Sequence, residues 1–249
     1  MPGFEIICLA NSRKLSGRCI AGLRTDGGGW IRPIGENPDG TLFRNHFTLE
    51  DGSLARPLDV LRIQLKEQRP EPHQPENWLI SSKPWVLVTR PAKAEHLKLI
   101  ETFIEKGPYL FGNQSDRILY KSLIKTPAKA SLALVIPDEI SWAINKSIRG
   151  KRQTRVSLNF GGGDYDLVVT DPLWEEKLKS FSFGNHSSES FGFRKNEKFL
   201  LTISLGEPFE GYCYKLVTYV QPWKDLFNSL SLKKHKVILR KEGRDRCQS

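Results

Sequence analysis

Cysteine is scarce in this chain. Cys8, Cys19, Cys213 and Cys247 are the full set, and no Cys-x-x-Cys pair occurs among them. That spacing excludes a zinc ribbon or a disulfide framework and fits small, reduced core side chains. Histidine is sparse too, with no His-x-x-x-His or His-x-His pair to offer a metal. No run approaches the ~18–20 apolar residues that cross a bilayer. The opening "MPGFEIICLANSRK" has no basic stretch ahead of its short apolar run, so no signal peptide is expected and the cytoplasm is the expected compartment. The "GGGD" at 161–164 lacks the Gly-Lys-Ser/Thr end of a phosphate-binding loop. No Ser–His–Asp or Cys–His arrangement stands out. Neither a catalytic residue, a metal nor a cofactor is therefore assigned.

What the chain does have is positive charge. Lys and Arg outnumber Asp and Glu by 38 to 28, for a formal +10 and a pI near 9.5. Such a balance favours a polyanionic partner, nucleic acid before membrane, and says nothing about fold. The stretch "KKHKVILRKEGRDRC" near the end holds seven Lys or Arg against two acids, half of that net charge. Its Lys233, Lys234, Lys236 and Arg240 are candidate phosphate contacts, although a solubilising or partner-docking tail has the same composition.

Strand patterns dominate. "FEIICLA" (4–10), apolar but for Glu5, reads as a buried strand, and "SGRCIAGL" (16–23) as a second one. "WIRPI" (30–34) follows a glycine turn, then a Gly/Pro/Asn/Asp-rich loop runs to about residue 55. "LDVLRIQLKEQ" (58–68) alternates cleanly, "RPEPHQPEN" reads as a rigid surface loop, and "WVLVTR" (85–90) as a further strand. A helix is expected over 91–107, with Leu97, Ile100 and Ile104 on one side. Further strands are expected over 130–138, 155–161, 164–171 and, as a hairpin, 198–223. Asp171 is placed to cap a short helix over 171–181. Strands that outnumber helices without alternating with them argue against a doubly wound sheet. The expected architecture is mainly β with a few short helices, as two small, partly open barrels packed together.

In "GGGWIRPIG" (27–35), strand alternation puts Trp30 and Arg32 on one face and Ile31 on the other. If Ile31 is the core residue, the indole and the guanidinium lie on an outer surface, as a stacking platform beside a phosphate contact. Otherwise Trp30 is core filling, and Arg32 needs a buried acid such as Asp26 or Glu36. Ser16 and Arg18 on the preceding strand would extend the outer surface, with Lys14 at its start. Asp164 and Asp166 share a strand face and could hold a magnesium ion, whereas Asp171 falls on the other parity.

The elements "KLSGRCIAG" and "GGGWIRPI" near the start, "DLVVTDPLW" in the middle and "LLTISLGEPFEGYCYKLVTYV" near the end together resemble the bacterial dual OB-fold domain family. The resemblance spans nearly the whole chain. It implies two OB-like barrels, a nucleic-acid-binding role and association with bacterial conflict or defence systems. Carried over by position, it marks Lys14, Ser16, Cys19, Gly22, Trp30, Arg32 and Pro33, then Thr170, Asp171, Gly206, Glu207, Pro208, Tyr214 and Lys215. The expected organisation is a first barrel over 1–110, a second over 111–230 and a basic tail over 231–249. The leading reading is a non-catalytic protein that binds single-stranded DNA or RNA, with Trp30 stacking on bases. Lys14, Ser16, Arg18, Arg32, Asp171, Lys215 and the tail cations would complete its site. Two competitors stand beside it: an adaptor docking a partner enzyme or toxin from the same operon, and a metal-dependent enzyme acting on nucleotides or nucleic acid through the acids near 164–171. No membrane partner is expected.

Overall fold

The computed structural model describes residues 1–226. Lys233, Lys234, Lys236 and Arg240 therefore lie outside the described residues. In the first half, β1 (Gly3–Lys14) pairs along its start with β4 (Val60–Gln68) and along its end with β2 (Gly17–Arg24). β3 (Trp30–Ile34) runs antiparallel to β2 and parallel to β5 (Asn77–Ile80), which returns to β4. The order β1-β2-β3-β5-β4 closes back on β1, so this barrel is complete. β6 (Val86–Thr89) adds to the outside of β4. Gly22 makes the tight coil of β2 possible, because a side chain there would collide with the Ile7 carbonyl.

Helix α1 (Ala94–Thr102) is shorter than its apolar periodicity predicts. The chain leaves it to pair with the second half instead: Ile104 bridges Leu134, and the Glu105 amide donates to the Leu134 carbonyl at 2.8 Å. After β7 (Arg117–Leu119) and α2 (Tyr120–Lys125), the strands β8 (Leu132–Val135), β9 (Glu139–Lys146), β10 (Arg152–Phe160) and β11 (Gly163–Val169) follow. Then come α3 (Pro172–Lys177), β12 (Gly184–His186), β13 (Phe199–Phe209) and β14 (Tyr212–Pro222). The sheet order β9-β10-β11-β14-β13-β8, with β11 and β14 parallel, repeats the order of the first barrel. Only Ile136, Pro137 and Asp138 separate β8 from β9, so the path begins and ends on one broken strand. Proline interrupts the ladder there and lets the strand turn the corner.

The apolar run in β1 is explained by what covers each face. Ile6 and Cys8 point into the first barrel, while Ile7 and Leu9 join Leu23, Leu134 and Leu200 in a cluster between the barrels. β13 does the same from the other side. Leu201 and Ile203 enter the second core with Trp142, Trp174 and Phe199, while the Thr202 hydroxyl donates to the Leu9 carbonyl at 2.6 Å. Among the described residues, no helix is long and apolar enough to cross a membrane.

Candidate nucleic-acid interface

Strand parity at β3 follows the alternation: Ile31 is in the first core, and Trp30 and Arg32 point outward. The outward face is not open, because the second barrel covers it. Trp30 is half-buried against Ala10, Ala21 and Leu132. Arg32 is 2% exposed. Its Nε and Nη2 donate to Glu76 Oε1 at 3.3 and 3.2 Å, and its Nη2 also to Ser131 Oγ at 2.6 Å and Ser204 Oγ at 3.0 Å. Burial opposes the charge, but Cys19, 2.9 Å from Nη1, and Glu76 outweigh it and keep the guanidinium protonated. Glu76 in turn accepts from the Ser131 amide at 3.2 Å and from the Ser131 hydroxyl. Arg32 and Glu76 come from the first barrel, Ser131 and Ser204 from the second. The group is a latch across the seam.

These placements correct three expectations. Arg32 is not a phosphate contact, and neither Asp26 nor Glu36 is its partner; those acids pair with Arg24 and Lys66 on the surface. The proline-rich loop, read as a surface loop, is packed into the seam, with His73, Gln74 and Glu76 buried. Trp30 is a wedge rather than a platform. Trp30→Ala should therefore lower stability by about 2 kcal/mol in chemical denaturation and leave oligonucleotide affinity unchanged; a loss of affinity at unchanged stability would restore the stacking role.

Lys14 sits at the edge of the same seam. Its Nζ is 2.7 Å from Glu207 Oε1, and His73 Nε2 is 2.9 Å from Glu207 Oε2. Burial alone would raise the Glu207 carboxyl, but His73 and Lys14 prevail and hold it down to about 2. Lys14 is thus committed to the joint between the barrels.

Asp171 and Lys215 are interior residues, a further correction. The Asp171 carboxylate caps α3 through the amides of Leu173 (2.9 Å) and Trp174 (3.4 Å) and accepts from the Val220 amide at 3.0 Å. It is sealed from solvent and cannot meet a phosphate. Lys215 is 1% exposed; its Nζ donates to the carbonyl and side-chain oxygens of Asn113 at 2.9 and 2.7 Å and lies over the Tyr165 ring. Burial pushes its ammonium down to about 8 against the pull of Asp116. Asp166 pairs with Arg155, and Asp164 accepts from Asn159, so the acids near 164–171 do not converge.

Ser16 and Arg18 remain on an open surface. The turn between β1 and β2 borders a groove of about 270 Å³ lined by Arg13, Ser16, Arg18 and Arg44, with Phe47 and Leu54 as floor. Arg18 is brought to Arg44 by a backbone bridge to Leu42, and Gly17 permits that approach because a Cβ would strike the Leu42 carbonyl. Arg13 pairs with Glu175 at 2.8 Å. Among the described residues, the guanidiniums of Arg18 and Arg44 make no hydrogen bond or ion pair. Burial, then repulsion from Arg13, pushes the Arg18 guanidinium down, with Glu175 and Asp171 pulling the other way. Three arginines thus crowd a groove with one carboxylate in ion-pair reach, an arrangement that an anion relieves. Arg44 carried no signal in the sequence, since it lies in an aperiodic loop that only tertiary pairing brings to Arg18.

The profile of the family described as "Dual OB-containing domain" matches residues 4–220. The chain belongs to that family. Among curated proteins nothing matches. Of solved structures, the p204 HINb domain aligns over 87% of this chain and 96% of its own at 12% identity and a TM-score of 0.34. A murine DNA-binding protein bound with double-stranded DNA aligns over 89% and 99% at 10% identity and a TM-score of 0.30. Overlaps this loose carry no argument. Within the dual OB-containing chain itself, the marked residues divide by place: Lys14, Trp30, Arg32 and Glu207 join the barrels, Asp171 and Lys215 support the second, and Ser16 faces the groove.

Proposed function

We propose that this protein binds nucleic acid, DNA or RNA in single-stranded form, and holds its phosphates in the groove of Arg13, Ser16, Arg18 and Arg44. The observation that carries this reading is the half-buried Arg18 and the exposed Arg44, gathered with Arg13 without matching carboxylates. Two features support it. The groove adjoins the turn between the first two strands of an OB-like barrel, a position from which such barrels contact oligonucleotides. The net charge of +10 would draw a polyanion to the surface. Lys233, Lys234, Lys236 and Arg240 would add affinity without sequence preference.

The test is fluorescence anisotropy with a labelled single-stranded oligonucleotide across 50–200 mM salt. Each phosphate contact on a single strand contributes about 0.7 to the slope of log affinity against log salt. The Arg18→Ala/Arg44→Ala double variant should bind more weakly, with a slope shallower by about 1.4. No binding by the unaltered chain at 50 mM salt, or an unchanged slope in the variant, would overturn the reading.

A further inference from the structure

The hairpin of β13 and β14 turns through Glu210 and Gly211, both with positive φ (50° and 82°), and so pairs Phe209 directly with Tyr212. On the other side of β14, Tyr212 pairs with Leu119 and Tyr214 with Arg117. Residues directly opposite in a ladder share a face, so three strands present Phe209, Tyr212, Tyr214, Leu119 and Arg117 together. Phe209 is 52% exposed and Leu119 47%. The Arg117 guanidinium lies over both tyrosine rings, 4.9 and 5.5 Å from their centroids, and its Nη1 donates to the Tyr214 hydroxyl at 3.2 Å. The reverse face of the same strand holds the buried Cys213 and Lys215, so the ring-bearing face is held rigid from behind.

We infer that this face is a stacking site for the bases of a single strand whose phosphates lie in the arginine groove. The inference rests on the proposed function and deepens it. Flat π-faces beside a guanidinium match the chemistry of nucleobases. Asp116, 3.6 Å from Arg117, and Glu210 at the turn make the face unsuited to phosphates, which separates its role from that of the groove. The two sites also adjoin. The Lys14–Glu207 ion pair ties them together: Ser16 is two residues from Lys14, and Phe209 two residues from Glu207. The first step is two residues of the β1–β2 turn and the second about 7 Å of strand, within the span of a few nucleotides that an OB-like barrel covers.

The experiment compares a labelled oligothymidylate with an abasic strand of the same length and charge, using the full chain at low salt. The unaltered protein should prefer the base-bearing strand by roughly tenfold or more. Phe209→Ser and Arg117→Ala, both at exposed positions, should each weaken oligothymidylate binding severalfold and leave abasic binding unchanged. Arg18→Ala/Arg44→Ala should weaken both strands alike. Equal affinity for the two strands, or equal loss on both in Phe209→Ser, overturns the stacking site and leaves the groove standing. Binding to neither strand overturns the groove and the stacking site together. A change in self-association in Phe209→Ser with base preference intact would reassign the face to a contact between copies, and also overturns it.

Discussion

Glu76→Ala is expected to destabilise the folded protein by about 3–5 kcal/mol, because it strands the Arg32 charge in the seam. The variant leaves a 2%-exposed guanidinium with only Cys19, Ser131 and Ser204 around it, and removes the acceptor of the Ser131 amide. In a chain this size each kcal/mol is worth about 2–4 °C, so the melting temperature should fall by about 6–20 °C. Arg32→Met combined with Glu76→Leu should cost clearly less than Glu76→Ala alone, since no charge is then left buried. Arg32→Lys should not substitute, because an ammonium cannot fork to Glu76 and both serines at once. A loss below about 1 kcal/mol in Glu76→Ala, the size of an ordinary surface pair, would show that the latch does not hold the barrels. Denaturation followed by tryptophan fluorescence measures all three.

The second large effect concerns pH. Burial raises the Asp171 carboxyl from 3.8 to about 6, although the amides of Val220, Leu173 and Trp174 pull it down and Glu175 adds a smaller push upward. Between those two values the folded chain binds a proton that the unfolded chain has lost. Stability from this group is therefore fully present below about 4 and declines as pH rises through 6. The whole change is worth roughly 3 kcal/mol. Asp171→Asn does not titrate, so the advantage of the unaltered chain over this variant should shrink by about that amount between pH 4 and 7. Glu207, held at about 2, has the opposite sign, contributing stability above its ordinary 4.5 that is lost as pH falls through 2. It is common to both proteins and cancels. An advantage that grew with pH would mean that the three amides, rather than burial, govern Asp171.

Much of the architecture was legible. The apolar residues 6–10 announced a buried strand, and the Asp171-Pro172 pair announced the start of α3. β5 and β9 were not legible. β5 is four residues long behind a proline-rich loop, and β9 mixes Lys, Glu and Asn into its alternation. At the site, Ser16 and Arg18 were found from their position on a strand beside a glycine turn. Arg44, Glu76 and Arg117 were not, because their partners lie 26 to 97 positions away in sequence; Tyr214 was marked only by the family resemblance, with no role attached.

From local chemistry alone it follows that this chain makes strands, that Trp30 and Arg32 share one face of β3 with Ile31 on the other, and that positive charge is in excess; which of the two faces meets the core came from the fold. Only the tertiary structure decided what lay beyond that outward face. A strand's parity depends on its own backbone and can be read in place. Whether an outward guanidinium meets water, a phosphate or a buried Glu76 depends on which distant segment packs over it, and here the second barrel does.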